Sequence, residues 1–330
     1  MSLNTSCAAF YYIEQLYSIN FYISQIVDLI AIVITFFATF FAVKVILSKS
    51  IFQLSTKILL LQVLFYANLH QLSYGLEAVI LLYKGFFVVS STCKILVSEA
   101  SCAPYLEVLI AGISGMIFGQ TGLILERACA TFSTNYKGNR TTLVGGTISF
   151  VVFVCSASTG RLLLWDDPLT KYISACFAFP AQSAGRSNVY FTICTVLTLL
   201  NLLVSLVIMR YNKRFEYSNR FQVGARFRKR EVIDSTETIC FLTCAQFIAM
   251  FIYSVGVALL RNLISIITME QFLFFIVWCY TVPFIAVMYP LLLIYRIRIR
   301  RSNRVQIIAE ITHAKQTQDD HIKEINKMWS

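Results

Sequence analysis

The sequence predicts an all-α membrane protein: a bundle of seven transmembrane helices with the N-terminus outside and the C-terminus in the cytoplasm. Three observations predict it. Of 330 residues, 57% are hydrophobic and only 14% charged, where a soluble domain carries about 25% charge. Seven stretches are long and apolar enough for a bilayer, whose core of about 30 Å takes about 20 helical residues at about 1.5 Å each. The 28 Lys and Arg, against 17 Asp and Glu, also alternate in density from one connection to the next, as they do where cytoplasmic loops gather positive charge. The net charge of +11 does not point to nucleic acid, because 13 Gly, 5 Pro and a mean hydropathy of +0.69 describe apolar helices.

Residues 1–21 are an extracellular tail without Lys or Arg, carrying the sequon Asn4-Thr5-Ser6 with Asn4 as the expected glycosylation site. Lacking a basic n-region, the chain predicts no cleavable signal peptide, so the first span acts as its own insertion signal. The seven-transmembrane domain covers residues 22–295. Its spans run from Tyr22 to Leu47, Ile58 to Leu82, Tyr105 to Leu125, Leu143 to Trp165, Val189 to Met209, Ile239 to Leu260 and Phe272 to Tyr295. The second is the weak one, since Gln62, Asn68, His70, Gln71 and Glu77 are expensive in lipid unless they face protein or water. With seven spans, 22 basic residues fall inside and 6 outside; if the second did not span, the best division would be 19 against 9. A second sequon, at Asn139, then lies inside and stays unmodified. Residues 296–330 are a basic cytoplasmic tail, in which Arg296, Arg298, Arg300, Arg301 and Arg304 precede Val305, Ile308 and Ile311. That pattern predicts a helix lying on the inner membrane surface, drawn to anionic lipid.

Ten Cys show no metal-ligand spacing, and no metal or cofactor is expected. On the outer side the topology places Cys7, Cys93, Cys102 and Cys176, where disulfides persist. Of the three possible pairings, the favoured one joins Cys102 to Cys176, with Cys93 as the competing partner. Along the third span Gly112, Gly115, Gly119 and Gly122 form a smooth stripe suited to close helix packing. Glu126 and Arg127 end that span at the cytoplasmic mouth, 25 residues and about 37 Å beyond Cys102. Arg127 reads as a positive-inside anchor or as half of an ion pair to Asp234 or Glu237 that holds the third and sixth spans together. On the second span Gln62, Tyr66, His70, Ser73 and Glu77 share one helical face directed to the bundle interior. His70 and Glu77, with Glu107 at the outer end of the third span, are the expected ligand-pocket residues; the alternative is a set of interhelical hydrogen bonds. Pro283 and Pro290 mark kinks in the seventh span. Eight Lys and Arg from Arg210 to Arg230 make the connection between the fifth and sixth spans the most basic inner loop.

Seven spans, an outer cysteine pair and the triplet Glu126-Arg127-Ala128 resemble the G-protein-coupled receptor plan. The segment from Arg226-Phe227-Arg228-Lys229-Arg230 through Asp234-Ser235-Thr236 and Ile239-Cys240-Phe241-Leu242 to Gln246-Phe247 and Tyr253-Ser254 is more specific. It resembles the nematode serpentine chemoreceptors of class alpha, with the related class alpha-beta as nearest alternative. The resemblance implies a receptor for a small-molecule odorant or tastant, coupled to a heterotrimeric G protein through Arg127 as the sixth span moves. It also implies a plasma-membrane site in the sensory cilia of chemosensory neurons. Glu126-Arg127-Ala128 and Tyr289-Pro290-Leu291-Leu292-Leu293 depart from the motifs of the large rhodopsin-like family, so that family's switches are not carried over to Tyr289 or Leu293. The alternative function is a transporter or ligand-gated channel using Asp28, His70 and Glu77 as a polar pathway, though no internal repeat supports it. An enzyme is not expected, because H-E-x-x-H, G-x-S-x-G and P-loop patterns are missing from the sequence.

Overall fold

The computed structural model describes residues 16, 18–49, 52–88, 96–133, 136, 138–173, 175–180, 182–218, 223–263 and 265–328. Asn4, Cys7 and Cys93 lie outside the described residues. The chain forms α1 (Ile19–Lys49), α2 (Leu54–Tyr83), α3 (Glu99–Phe132), α4 (Asn139–Leu164), α5 (Ser183–Ser218), α6 (Val223–Leu263), α7 (Met269–Cys279) and α8 (Val282–Met328). Helices α7 and α8 are two halves of one crossing, so seven crossings make the bundle. One two-residue β-ladder pairs β1 (Val97–Ser98) antiparallel with β2 (Tyr172–Ile173). We call the end of the bundle that carries this ladder the disulfide end and the opposite one the arginine end.

Six of the crossings are apolar enough to span a membrane on composition alone, and α2 is not among them. It is held among the others because its polar side chains have protein partners. Gln62 donates to the Ser149 carbonyl of α4 at 2.9 Å, Asn68 to Thr39 of α1 at 3.0 Å and Gln71 to the Pro283 carbonyl of α8 at 2.8 Å. Of its predicted inward face, Tyr66, His70, Ser73 and Glu77 are all buried.

Helix α3 is the innermost: 72% of its most apolar stretch is buried, against 28–39% for the other five apolar crossings. The glycine stripe makes this possible. A Cβ at Gly112 would lie 2.9 Å from the His70 backbone nitrogen, one at Gly115 2.1 Å from the Tyr66 ring and one at Gly119 2.6 Å from Val63. A Cβ at Gly122 would meet Ile148 of α4 at 2.9 Å, so the stripe serves α2 along most of its length and α4 at its end. The shared core joins Leu59, Val63 and Tyr66 of α2, Ile113, Met116 and Ile117 of α3, and Ile285, Ala286 and Tyr289 of α8.

Local signals set the helix ends. The Ser18 hydroxyl accepts the Phe21 N–H at the start of α1, and Thr268 with Gln271 forms a reciprocal capping box at the start of α7. Helix α7 stops at Cys279, and α8 starts at Val282 with Pro283 in its first turn, where a missing N–H costs nothing. Pro283 therefore breaks the crossing rather than kinking it, while Pro290 is carried inside α8.

Two expectations are corrected at the arginine end. The tail is not a separate surface helix: α8 runs unbroken from Val282 to Met328, and no Gly or Pro lies beyond Pro290 to end it. Its 47 residues measure about 70 Å, longer than a whole bilayer with headgroups at about 45 Å. The basic connection from Arg210 is likewise mostly helix, since α5 continues to Ser218 and α6 begins at Val223.

Candidate functional site

At the arginine end, Glu126 and Arg127 near the end of α3 are 0% and 1% exposed. Consecutive helical residues ordinarily diverge by about 100°, yet here both side chains turn into one gap between α2 and α6. Glu126 Oε1 accepts from Ser55 at 2.7 Å, Tyr136 at 2.6 Å and Arg127 Nη2 at 2.5 Å. Its Oε2 accepts from Arg127 Nε at 2.6 Å and Thr56 at 3.2 Å. The guanidinium also donates through Nη2 to Thr56 Oγ1 at 2.5 Å and through Nη1 to Ser235 Oγ at 2.6 Å. A bidentate pair with every remaining lone pair engaged is the geometry in which a buried ion pair is tolerated. Burial, and donation to the Glu126 carboxylate, push the Tyr136 hydroxyl up from its usual pKa.

The expected ion pair between Arg127 and Asp234 or Glu237 does not form. Asp234 and Glu237, three apart on one face of α6, turn toward α8 instead, where Arg296 and Arg300 are one turn apart. Glu237 accepts from Arg296 at 2.8 Å and from Arg300, and Asp234 pairs with Arg300 at 3.1 Å. Arg296 also lies over the Phe241 ring, 5.3 Å from its centre. Ser235, rotated about 100° from Asp234, is the α6 residue that faces α3. Helix α3 is thus tied to α6 by a hydroxyl, and α6 to α8 by charge. Between the two ends Gln120 of α3 donates to Thr243 of α6 at 2.5 Å and accepts from Tyr289 of α8 at 2.9 Å, joining the same three helices.

At the disulfide end, Cys102 in the first turns of α3 is bonded to Cys176, with Cα atoms 5.0 Å apart. The connection between α4 and α5 is fastened further where Glu99 N–H donates to the Lys171 carbonyl at 2.9 Å and Lys171 N–H to Glu99 Oε2 at 3.0 Å. Glu77 of α2 is buried beneath it and accepts the Cys176 N–H at 2.6 Å. This connection dips into the bundle: Phe177 packs on Tyr74, ring centres 6.0 Å apart, and Phe179 on Phe191, also at 6.0 Å. Below it His70, fully buried, bonds the Tyr280 hydroxyl at 2.8 Å and stacks on Tyr74. Glu107 does not join them, which corrects its placement in a shared pocket with Glu77. It faces α4, its Cα 2.8 Å from a Cβ at Gly160 and its carboxylate 4.0 Å from Arg161, because Leu106, Leu109 and Ile110 take the inward positions around it.

Several of these residues escape a reading of the sequence. Ser55 and Thr56 stand at the start of α2 as ordinary helix-opening residues, and Tyr136 lies in a short connection. Arg296 and Arg300 look like positive-inside anchors, although their spacing of four, opposite two acids three apart, is a usable signal. Tyr280 is marked only by its place before Pro283.

A bundle of seven crossings, wrapped about a glycine-packed central helix and stapled at one end by a disulfide, defines a seven-transmembrane serpentine protein. The chain belongs to the Sra family: the family model for the serpentine type 7TM GPCR chemoreceptor Sra matches residues 1–329. It is 56% identical to Caenorhabditis elegans serpentine receptor class alpha-6 over 327 residues, 99% of each chain. Identity is 51% to class alpha-9 of the same organism, covering 98% of this chain and 99% of the relative. Class alpha-3 is 52% identical, covering 98% of both.

Proposed function

We propose that this chemoreceptor binds a small-molecule odorant or tastant at the disulfide end and activates a heterotrimeric G protein at the arginine end. It lies in the plasma membrane of sensory cilia, N-terminus outside, an orientation supported by the 22 basic residues predicted on the arginine side against 6 on the other. The observation that carries the reading is the burial of Arg127. At 1% exposure, held by Thr56 of α2 and Ser235 of α6, it reaches a partner only when α6 moves away from α3. The Glu237 and Asp234 pairs to α8 oppose that movement. A ligand that binds the parted arrangement better shifts the population toward it, and no catalytic step is needed. Asp28 bonds Tyr74, on whose ring His70 stacks, while Glu77 accepts the Cys176 N–H; no hydrogen bond among the described residues joins any two of Asp28, His70 and Glu77 into a polar transport file.

The test is nucleotide exchange on G proteins in cells expressing the receptor. Ligand-dependent exchange that is lost in Arg127→Ala, with surface delivery retained, is the expected result. Ligand-driven current or uptake that persists when G proteins are inhibited would overturn the reading.

A further inference from the structure

Buried charge is unevenly compensated between the two ends. At the arginine end Glu126 has Arg127 and Asp234 has Arg300. At the disulfide end Asp28, Glu77 and Glu99 are 5%, 3% and 3% exposed, and no buried Lys or Arg accompanies them among the described residues. Glu77 is accounted for by the Cys176 N–H and the nearby Lys84, and Glu99 by the Lys171 N–H. Asp28 is held by a neutral group, the Tyr74 hydroxyl at 3.1 Å, and takes part in no ion pair among the described residues. A carboxylate kept within a span without a cation is costly, and such residues mark functional sites.

Around Tyr74, which bonds Asp28, lie buried polar atoms with no partner. Gln25, one turn nearer the disulfide end on α1, reaches the same Tyr74 hydroxyl, and its amide oxygen is unpartnered although the residue is 1% exposed. His70 is fully buried with Nδ1 unpartnered. The rings of Tyr74 and Tyr280, with centres 5.1 Å apart, continue to Tyr253 at 5.8 Å. Aromatic faces and carboxylates share a preference for positive charge.

We propose that Asp28 is the counter-ion of a ligand site between α1, α2 and the α7–α8 break, and that the site takes a small organic cation of the protonated-amine class. The ammonium donates to Asp28 and to the Gln25 amide oxygen, and its apolar part lies on Tyr74 and Tyr280. Phe177 is the gate. It packs inward on the Tyr74 cluster and outward on the buried cluster of Leu16, Phe21, Leu81 and Ala175 at the disulfide end, so its displacement opens a path from that end toward Asp28. The inference rests on the receptor reading above and names the chemistry of its ligand.

The experiment uses the full chain purified in lipid nanodiscs, with thermal unfolding as the readout and no G protein present. Phenethylamine is compared with the neutral phenethyl alcohol, on the wild type and on Phe177→Ala. The amine raises the melting temperature and the alcohol does not; Asp28→Asn, nearly isosteric, weakens the amine's effect roughly 10-fold or more, and Gln25→Met weakens it less. Equal shifts by amine and alcohol overturn the proposal, as does an amine shift preserved in Asp28→Asn. No shift in wild type or Phe177→Ala overturns it too. Loss of amine binding beside intact Arg127-dependent exchange sinks only this inference, whereas an intact amine shift without exchange sinks only G-protein coupling.

Discussion

Replacing Glu126 by Gln is the sharpest perturbation of the arginine end. The side chain keeps its shape, so packing is preserved, but the carboxylate that accepts from Arg127 twice, and from Ser55, Thr56 and Tyr136, becomes an amide with one acceptor oxygen. The three hydroxyls can turn elsewhere. Arg127 cannot, because at 1% exposure it is left as a buried cation whose remaining acceptors, the one amide oxygen and the hydroxyls of Thr56 and Ser235, are all neutral. Breaking a buried pair by removing one member costs about 3–5 kcal/mol. If only about 1.4 kcal/mol of that distinguishes the closed arrangement from the parted one, their ratio falls about tenfold. Two assays read this: thermal unfolding of the purified receptor and ligand-free nucleotide exchange. Glu126→Gln lowers the melting temperature and raises ligand-free exchange. The double variant Glu126→Leu with Arg127→Met, which removes both charges, is more stable than Glu126→Gln and does not signal. A double variant no more stable than the single one, or unchanged ligand-free exchange in Glu126→Gln, would refute the account of a closed ionic knot.

Three other outcomes are expected. Gly115→Ala places a Cβ 2.1 Å from the Tyr66 ring and must separate α2 from α3, costing about 1–3 kcal/mol, whereas Gly146→Ala meets nothing within 4 Å and leaves stability unchanged or slightly higher; thermal unfolding compares them, and equal effects would contradict the packing. Cys176→Ser opens a link between residues 74 apart and costs roughly 2–5 kcal/mol, seen as loss of surface delivery or of ligand response. Glu237→Lys places a third cation beside Arg296 and Arg300, so α6 is released and ligand-free exchange rises; adding Arg296→Glu and Arg300→Glu restores the low level, and exchange unaltered by the single change would exclude the α6–α8 pairs as a restraint.

Lipid is a demanding solvent, and its demands are written along the chain. Because every backbone polar group must be satisfied within the membrane, long apolar runs have to be helices, and each of the seven predicted spans is covered by helix, although α3, α5, α6 and α8 run well past the predicted bounds. The polar face of α2 was legible for the same reason: Tyr66, His70, Ser73 and Glu77 recur at helical spacing, and a stripe that lipid rejects must turn inward. The glycine stripe of α3 was equally legible, since small residues at that spacing exist to let a neighbour approach. Partner choice was not legible. Whether Arg127 meets Glu126, Asp234 or Glu237, and whether Glu107 shares a gap with Glu77 or rests on Gly160, depends on how each helix is rotated about its axis and where it crosses its neighbours. Those angles are fixed by ridges and grooves from several helices at once. The break at Tyr280–Thr281 and the unbroken course of α8 belong to the same class, because one proline is compatible with a kink, a stop or a start, and the packing around it selects among them. Sequence thus determined what crosses the membrane and which faces turn inward; only the tertiary structure decided which buried charges find each other, because a charge's partner is set by three-dimensional proximity that no single span encodes.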